Sequence, residues 1–163
     1  MKILALDQDS YKIGYAIFVG DKLVESDVVK FKGNLIERLC AIERWTKKII
    51  KAKKIEMVLF EDIFARNMNT YKILSMLRGI LEVTLYKTNV EYLNIAASTW
   101  KNGIHLAGKG RDDQKLDGIR FALENYPIKK SITNDEADAI CLGHYWIHKE
   151  QFNNAIEGWA NLQ

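Results

Sequence analysis

The sequence has little proline, cysteine or net charge, and each shortage excludes a class of protein. One proline in 163 residues excludes a proline-rich linker, and the sequence shows no repeat or low-complexity segment. The two cysteines, Cys40 and Cys141, lie in helical patterns, which favours reduced, buried thiols over a disulfide framework. A net charge of +3 produces no strong overall field, so it is weak evidence for a nucleic-acid partner.

Long apolar runs are missing as well. No stretch reaches the roughly 18 apolar residues of a membrane span, and no basic and then apolar leader follows Met1. We therefore expect a cytoplasmic protein with no membrane partner. The 48% apolar content is sufficient for one full core. We expect one domain over residues 1–150 and a loosely held C-terminal tail over residues 151–163.

Hydrophobic periodicity predicts a mixture of strands and helices. The predicted strands span residues 2–7, 13–19, 23–31, 57–61 and 90–95. The predicted helices span residues 34–53, 70–87, a short segment from Ser98, 112–126 and 134 to about 149. Gly20-Asp21 predicts a hairpin turn between the second and third strands. A helix between two strands predicts a parallel crossover.

Carboxylates stand where two of the apolar strands end. Asp7 is the last residue of the first strand and Glu61 is the last residue of the fourth. An ionised carboxylate at the end of a buried strand is costly unless a positive partner meets it. Asp135 and Asp138 are three residues apart, so they share one face at the start of the last helix. The four acids together predict a site for a divalent metal.

The order of the elements predicts an α/β fold. Three antiparallel strands followed by two helix–strand units give a five-stranded mixed sheet, with three antiparallel strands and then two parallel ones, flanked by helices. This is the order of the ribonuclease H-like fold. In such a sheet the first and fourth strands can be neighbours, which would place Asp7 beside Glu61.

Three segments resemble the motifs of one nuclease family. LALDQDSYKIGYAIF (Leu4 to Phe18) is similar to the first motif of RuvC-type Holliday junction resolvases, VLFEDIF (Val58 to Phe64) to the second and NDEADAI (Asn134 to Ile140) to the third. The small size suggests a phage-encoded or divergent member. The resemblance implies a homodimeric, metal-dependent crossover junction endodeoxyribonuclease. Such an enzyme makes paired nicks in four-way (Holliday) junctions, and in other branched DNA, during recombination and repair.

The resemblance also implies which residues act. The catalytic and metal-binding residues would be Asp7, Glu61, Asp135 and Asp138. The implied cofactor is a pair of Mg²⁺ ions about 4 Å apart, with Mn²⁺ as a substitute and no nucleotide cofactor. We expect Asp7 to bridge both ions, and Glu61 and Asp138 each to complete one site. We expect Asp135 to bind an ion or to position its water.

The chain departs from the family pattern beside these acids. Gln8 and Asp9 stand where the family usually has Pro and Gly, and Asp62 stands where many members have Gln. We expect the two extra acids to pair with Lys12 or Arg66. The alternative is that the three residues modulate metal preference and the approach of the phosphate.

Basic residues near the motifs are candidates for binding DNA. The predicted DNA-binding residues are Phe64, Arg66, Lys72, Lys101, Lys109, Arg111 and Lys115. Lys101 and Lys115 match the phosphate-binding lysines of the family best. Phe64 resembles the family's aromatic near the junction crossover, where a base could stack on it. The alternative for Phe64 is a position in the core.

The second long helix is a candidate dimer face. It carries Met76, Leu77, Gly79 and Leu81, a mixture that would let two copies pack closely. The alternative is that this face of the helix packs against its own sheet.

Four other functions have weaker support. GIHLAGKG (Gly103 to Gly110) with DEAD (Asp135 to Asp138) is similar to a phosphate-loop ATPase, but no apolar strand leads into either segment. An actin-like kinase would need a glycine where Asp9 stands. Cys141, His144 and His148 share a helical side but lack a clear fourth zinc ligand. A non-cleaving protein that binds branched DNA would not need the complete set of four acids.

Overall fold

The computed structural model describes residues 1–106 and 110–160. The strands are β1 (Lys2–Gln8), β2 (Lys12–Val19), β3 (Lys22–Lys30), β4 (Met57–Glu61) and β5 (Glu91–Ile95). The helices are α1 (Leu35–Lys53), α2 (Met68–Thr88), α3 (Ala97–Gly103), α4 (Arg111–Asn125) and α5 (Asn134–Ala160). Within the described residues, no helix is both long and apolar enough to cross a membrane.

The five strands form one mixed sheet in the order β3-β2-β1-β4-β5. β1 pairs antiparallel with β2, and β2 with β3, while β1–β4 and β4–β5 are parallel pairs. The predicted α/β fold is therefore confirmed. Leu6 lies opposite Phe60 in the β1–β4 register. The next residues, Asp7 and Glu61, therefore lie side by side near the ends of these two strands.

Hydrophobic side chains cover both faces of the sheet. On one face α1 and α2 pack against the strands, and their buried residues include Leu39, Ile42, Leu77 and Leu81. On the other face α5 is the main covering helix, with Trp100 of α3 and Ala122 of α4 in the same cluster. β1 and β4 are buried on both faces, which explains why they are continuous apolar runs and not alternating ones.

The predicted element ends differ from the observed ones by a few residues. α2 begins at Met68 and not at residue 70, because the Asn67 side chain accepts hydrogen bonds from the first backbone N–H groups of the helix. α5 continues to Ala160, well beyond its predicted end near residue 149. The last residues of the predicted tail, 161–163, lie outside the described residues. Cys40 and Cys141 are both free thiols, as predicted.

A glycine in β2 sets how closely α5 approaches the sheet. A Cβ atom at Gly14 would lie 2.1 Å from the carbonyl oxygen of Asp135 and 2.9 Å from the backbone nitrogen of Glu136. Only a residue without a side chain allows the first turn of α5 to rest on β2 at this distance. The position of Asp135 and Asp138 relative to β1 therefore depends on Gly14.

We predict that Gly14→Ala destabilises the protein by about 1–3 kcal/mol, because its methyl group would force backbone atoms apart. Urea unfolding followed by circular dichroism measures this free energy. The matched control is Val19→Ala, on an exposed residue of the same strand. A substitution at this surface position should change the free energy of unfolding by no more than about 0.5 kcal/mol. Equal stability of Gly14→Ala and the wild type would contradict the prediction.

Candidate active site

All four predicted acids lie together at one end of the sheet. Asp7 comes from the end of β1, Glu61 is the last residue of β4, and Asp135 and Asp138 lie at the start of α5. They line one open pocket of about 440 Å³. The other residues that line it are Gln8, Asp9, Lys12, Leu74, Lys101, Gln114, Lys115 and Asn134.

Burial raises the pKa values of Asp7, Glu61 and Asp138, and neighbouring negative charges add to this effect at Asp7 and Asp138. The pKa of Asp7 is raised well above its usual value, first by burial and then by the charges of Asp138, Glu61 and Asp135. Burial raises the pKa of Asp138 to about 6, and the charges of Glu61 and Asp135 add to this effect. Burial also raises the pKa of Glu61. The pocket is therefore a place where negative charge is costly and a cation is needed.

Trp100 and Gln8 both donate hydrogen bonds to Glu61 and help to fix its position. The indole Nε1 of Trp100, a fully buried residue of α3, donates to Glu61 Oε2 at 3.0 Å. The Gln8 side chain donates from Nε2 to the Glu61 carbonyl oxygen at 2.6 Å. Trp100 was not predicted from the sequence as a residue of the site. A buried Trp N–H needs an acceptor, but no pattern in the sequence identifies Glu61 as that acceptor.

Arg78 of α2 supports the same end of β4. The residue is only 7% exposed. Its guanidinium group lies 4.4 Å from the centre of the Phe60 ring and donates to the Glu61 carbonyl oxygen at 3.4 Å. It also contacts Asp62 Oδ1 at 3.2 Å. The prediction that Asp62 pairs with Lys12 or Arg66 is therefore wrong, because Arg78 reaches Asp62 from the buried face of α2.

The prediction that Asp9 pairs with Lys12 or Arg66 is also wrong. Lys12 Nζ lies 2.5 Å from Asp135 Oδ2, not against Asp9. Asp9 is exposed, and its carboxylate accepts a hydrogen bond from the Tyr11 backbone N–H at 2.7 Å. Asp9 therefore stabilises the β1–β2 turn through a hydrogen bond to the backbone two residues further along the chain.

The donor atoms of the pocket fit a hard divalent cation. Carboxylate oxygens are the ligands that Mg²⁺ and Mn²⁺ prefer. Gln8 lines the pocket, and its Oε1 atom is buried without a hydrogen-bond partner within the described part of the chain, so it could accept a hydrogen bond from a bound water. Among the described residues, however, no three acids are already spaced as metal ligands. A bound ion would have to draw the carboxylates closer together.

The predicted DNA-binding residues divide into three groups. Lys101 and Lys115 line the pocket, and their charges lower the pKa of Asp138, opposing the effect of burial. Phe64 is 78% exposed in the β4–α2 loop, so the alternative of a core position is wrong. Arg66 and Lys72 are exposed on that loop and on the start of α2. Lys109 and the side chain of Arg111 lie outside what the structure describes.

The competing motifs do not lie where their functions require. Gly103 is the last residue of α3, and Asp135 lies in the first turn of α5, so neither follows a strand as a phosphate-loop ATPase needs. Residues 107–109 of the GIHLAGKG segment lie outside the described residues. Cys141 is buried with its thiol donating to the Gly118 carbonyl oxygen, and His144 Nδ1 pairs with the Tyr126 hydroxyl.

Comparisons with known proteins point to one family. The family model for crossover junction endodeoxyribonuclease RuvC matches residues 3–144. The RuvC of Orientia tsutsugamushi (strain Boryong) is 26% identical over 151 residues, covering 88% of this chain and 93% of that protein.

Solved structures agree in fold. The Thermus thermophilus RuvC in complex with Holliday junction substrate has a TM-score of 0.77 at 14% identity, covering 93% of this chain and 96% of that one. The Fowlpox virus resolvase in complex with Holliday junction DNA has a TM-score of 0.63 at 17% identity, covering 91% and 98%.

The raised pKa values predict how the metal-free protein responds to pH. Asp7, Glu61 and Asp138 bind protons more tightly in the folded state than in the unfolded state. The free energy of unfolding should therefore fall as the pH rises from about 4, near the unfolded pKa values, to above about 6. Thermal unfolding in EDTA across this range measures the effect.

Asp138→Asn is the control for this pH dependence. It removes one of the three groups, so the decline in stability should be shallower, and at pH values above the pKa of Asp138 the variant should be the more stable protein. A stability that rises over the interval, or an identical slope in the variant, would contradict the assignment of the pH dependence to these acids.

Proposed function

The chain belongs to the RuvC family of crossover junction endodeoxyribonucleases, and we propose that it resolves four-way DNA junctions by hydrolysing phosphodiester bonds at the acidic pocket. The observation that carries the proposal is the meeting of Asp7, Glu61, Asp135 and Asp138 in one pocket, from three segments that are far apart in the sequence. A DNA substrate and two free cysteines are consistent with action in the cytoplasm.

We propose that the four carboxylates hold two divalent ions, with Mg²⁺ as the natural choice and Mn²⁺ as a substitute. When bound, such ions neutralise the phosphate, activate a water nucleophile and stabilise the leaving oxygen. The charges of Asp138, Glu61 and Asp135 all act on Asp7, so Asp7 would be the residue that contacts both ions. Glu61 and Asp138 would each complete one site, and Asp135 would bind an ion or orient water.

Other residues prepare the pocket for the phosphate. Trp100 and Arg78 fix the side chain and the carbonyl of Glu61 respectively, so this carboxylate points in one direction before substrate arrives. Lys101 and Lys115 bring positive charge to the rim of an otherwise acidic pocket, which lets an anionic backbone approach. Gln8 lines the pocket and donates to the β4 backbone at Glu61.

We propose that DNA extends from this pocket across the β4–α2 loop. Arg66 and Lys72 are exposed there and would contact phosphates, while the exposed ring of Phe64 offers a face on which an unpaired base can stack. Lys109 and Arg111 are further candidates for phosphate contacts by their charge.

Junction cleavage with Asp7→Asn tests the proposed activity. We expect the wild type to nick a labelled four-way junction only when Mg²⁺ or Mn²⁺ is present. Asp7→Asn should lose more than about 100-fold in rate, because the central metal contact is gone, while still shifting the junction in a gel. The matched control, Asp21→Asn in the exposed β2–β3 turn, should cut normally.

Two outcomes would overturn the proposed activity. Cutting in EDTA, or at an undiminished rate by Asp7→Asn, would show that the acids do not carry the chemistry. Binding without any cutting by the wild type would favour a protein that only binds branched DNA.

We also propose that two copies pair through an apolar groove between α1 and α2. Exposed Ile36, Met76 and Val83 line this groove together with Gly79. A Cβ atom at Gly79 would meet nothing within 4 Å, so the groove leaves room for a second backbone. Leu77 and Leu81 are fully buried in the chain's own core and would not take part. Two sites related by symmetry would allow paired incision.

Analytical ultracentrifugation tests the dimer. We expect the wild type to sediment as a dimer at micromolar concentration and Met76→Glu to sediment as a monomer, because a buried charge without a partner opposes association. Val24→Glu, on an equally exposed apolar residue of β3, should remain dimeric. A monomeric wild type would contradict both the dimer and coordinated nicking of the two strands.

A further inference from the structure

Lys12 forms an ion pair with Asp135, one of the four acids. Its ammonium group, carried on the first residue of β2, lies 2.5 Å from Asp135 Oδ2, and the two residues are 123 positions apart in sequence. The Lys12 side chain is 45% exposed and that of Asp135 is 24% exposed. The hydrogen bond to Asp135 raises the pKa of Lys12, so this lysine is charged at neutral pH. The contact is an ion pair on the wall of the acidic pocket.

An ammonium group at this position opposes metal binding at the same carboxylate. It neutralises part of the negative charge of Asp135, and a divalent cation bound to Asp135 would lie close to the ammonium group and would be repelled by it. Glu61 is likewise engaged, because its carboxylate accepts the hydrogen bond from Trp100.

We propose that Lys12 competes with the metal for Asp135, and that a DNA phosphate entering the pocket relieves this competition by taking over the ammonium group. The inference rests on the proposed function and deepens it. Lys12 acts as an internal cation when the pocket holds neither metal nor DNA. It binds phosphate beside Lys101 and Lys115 when both are present.

The geometry makes this exchange feasible. Lys12 lines the pocket and its side chain is partly exposed, and its flexible stem can turn without moving β2. When Lys12 moves away from Asp135 it loses one ion pair, and a contact with a DNA phosphate replaces that ion pair. Metal binding and DNA binding are then coupled, because each ligand removes an obstacle to the other, and this coupling is reciprocal. The metal site would be incompletely occupied until substrate arrives.

The first experiment measures Mn²⁺ affinity without DNA by isothermal titration calorimetry. Lys12→Met should bind Mn²⁺ about two- to fivefold more tightly than the wild type, the gain expected from removing a partly exposed ion pair. Lys12→Gln should behave in the same way and guards against an effect of the methionine side chain. The matched control, Lys22→Met, removes an exposed lysine at the start of β3 and should leave the affinity unchanged. Unchanged or weaker binding by both Lys12 variants would overturn the inference.

A double-mutant cycle separates competition from general electrostatics. In an Asp135→Asn background there is no carboxylate to compete for, so Lys12→Met should no longer tighten Mn²⁺ binding. An equal gain in both backgrounds would show that Lys12 acts only through its long-range charge and would overturn the proposed competition. Circular dichroism of each variant checks that the fold is retained.

Junction binding in EDTA tests the second half of the inference. With Asp135 intact, the lysine is engaged, so Lys12→Met should change the affinity for a synthetic four-way junction less than twofold, about the effect of one screened surface charge. In the Asp135→Asn background the lysine is free to bind phosphate, so the same substitution should weaken binding by about threefold or more. Equal weakening in both backgrounds would overturn the exchange.

These results distinguish the inference from the proposed function. A wild type that binds no Mn²⁺ would contradict the metal site itself, and the Lys12 inference with it. A wild type that binds Mn²⁺ and cuts junctions, with Lys12 variants that titrate like it, would overturn the inference alone.

Discussion

The crowding of like charge at the end of a buried sheet is the constraint on which the rest of the structure depends. β1 and β4 are apolar on both faces, so Asp7 and Glu61 lie at the edge of the hydrophobic core, where little water can solvate their carboxylates. Gly14 then allows α5 to bring two further acids against the same edge. Each neighbouring feature compensates for this charge: raised pKa values, the Lys12–Asp135 ion pair, and the lysines at the rim.

Strand order and the grouping of the acids could be predicted because both follow from short-range patterns. Apolar runs identify β1 and β4, and the order of strands and helices predicts that they are parallel neighbours. Asp7 and Glu61 must then meet at one edge. The three-residue spacing of Asp135 and Asp138 places them on one helical face by the geometry of the helix alone. None of these inferences needs a side-chain contact between distant segments.

The partners of the charged residues could not be predicted, because they depend on how helices cross the sheet. Asp62 seemed available to Arg66, four residues away, yet the guanidinium group of Arg78 reaches it from the buried face of α2. Lys12 is close to Asp9 in sequence, but its side chain leaves β2 towards α5 and meets Asp135. Periodicity predicts which face of an element is buried. It does not predict the rotation and offset with which two elements pack.

The same compensations that let the fold tolerate four acids also oppose the loading of metal. The raised pKa values favour protonated carboxylates, and Lys12 pairs with Asp135, so protons and the lysine both compete with a metal ion for these oxygens. A site that was fully assembled in the metal-free state would instead carry uncompensated negative charge and would destabilise the sheet edge. Under the proposed function, incomplete assembly therefore has a benefit. The metal supplies to Asp135 the positive charge that Lys12 provides in its absence, and the DNA phosphate supplies to Lys12 the negative charge that Asp135 provides. The cleavage site is then completed only when metal and DNA are both bound.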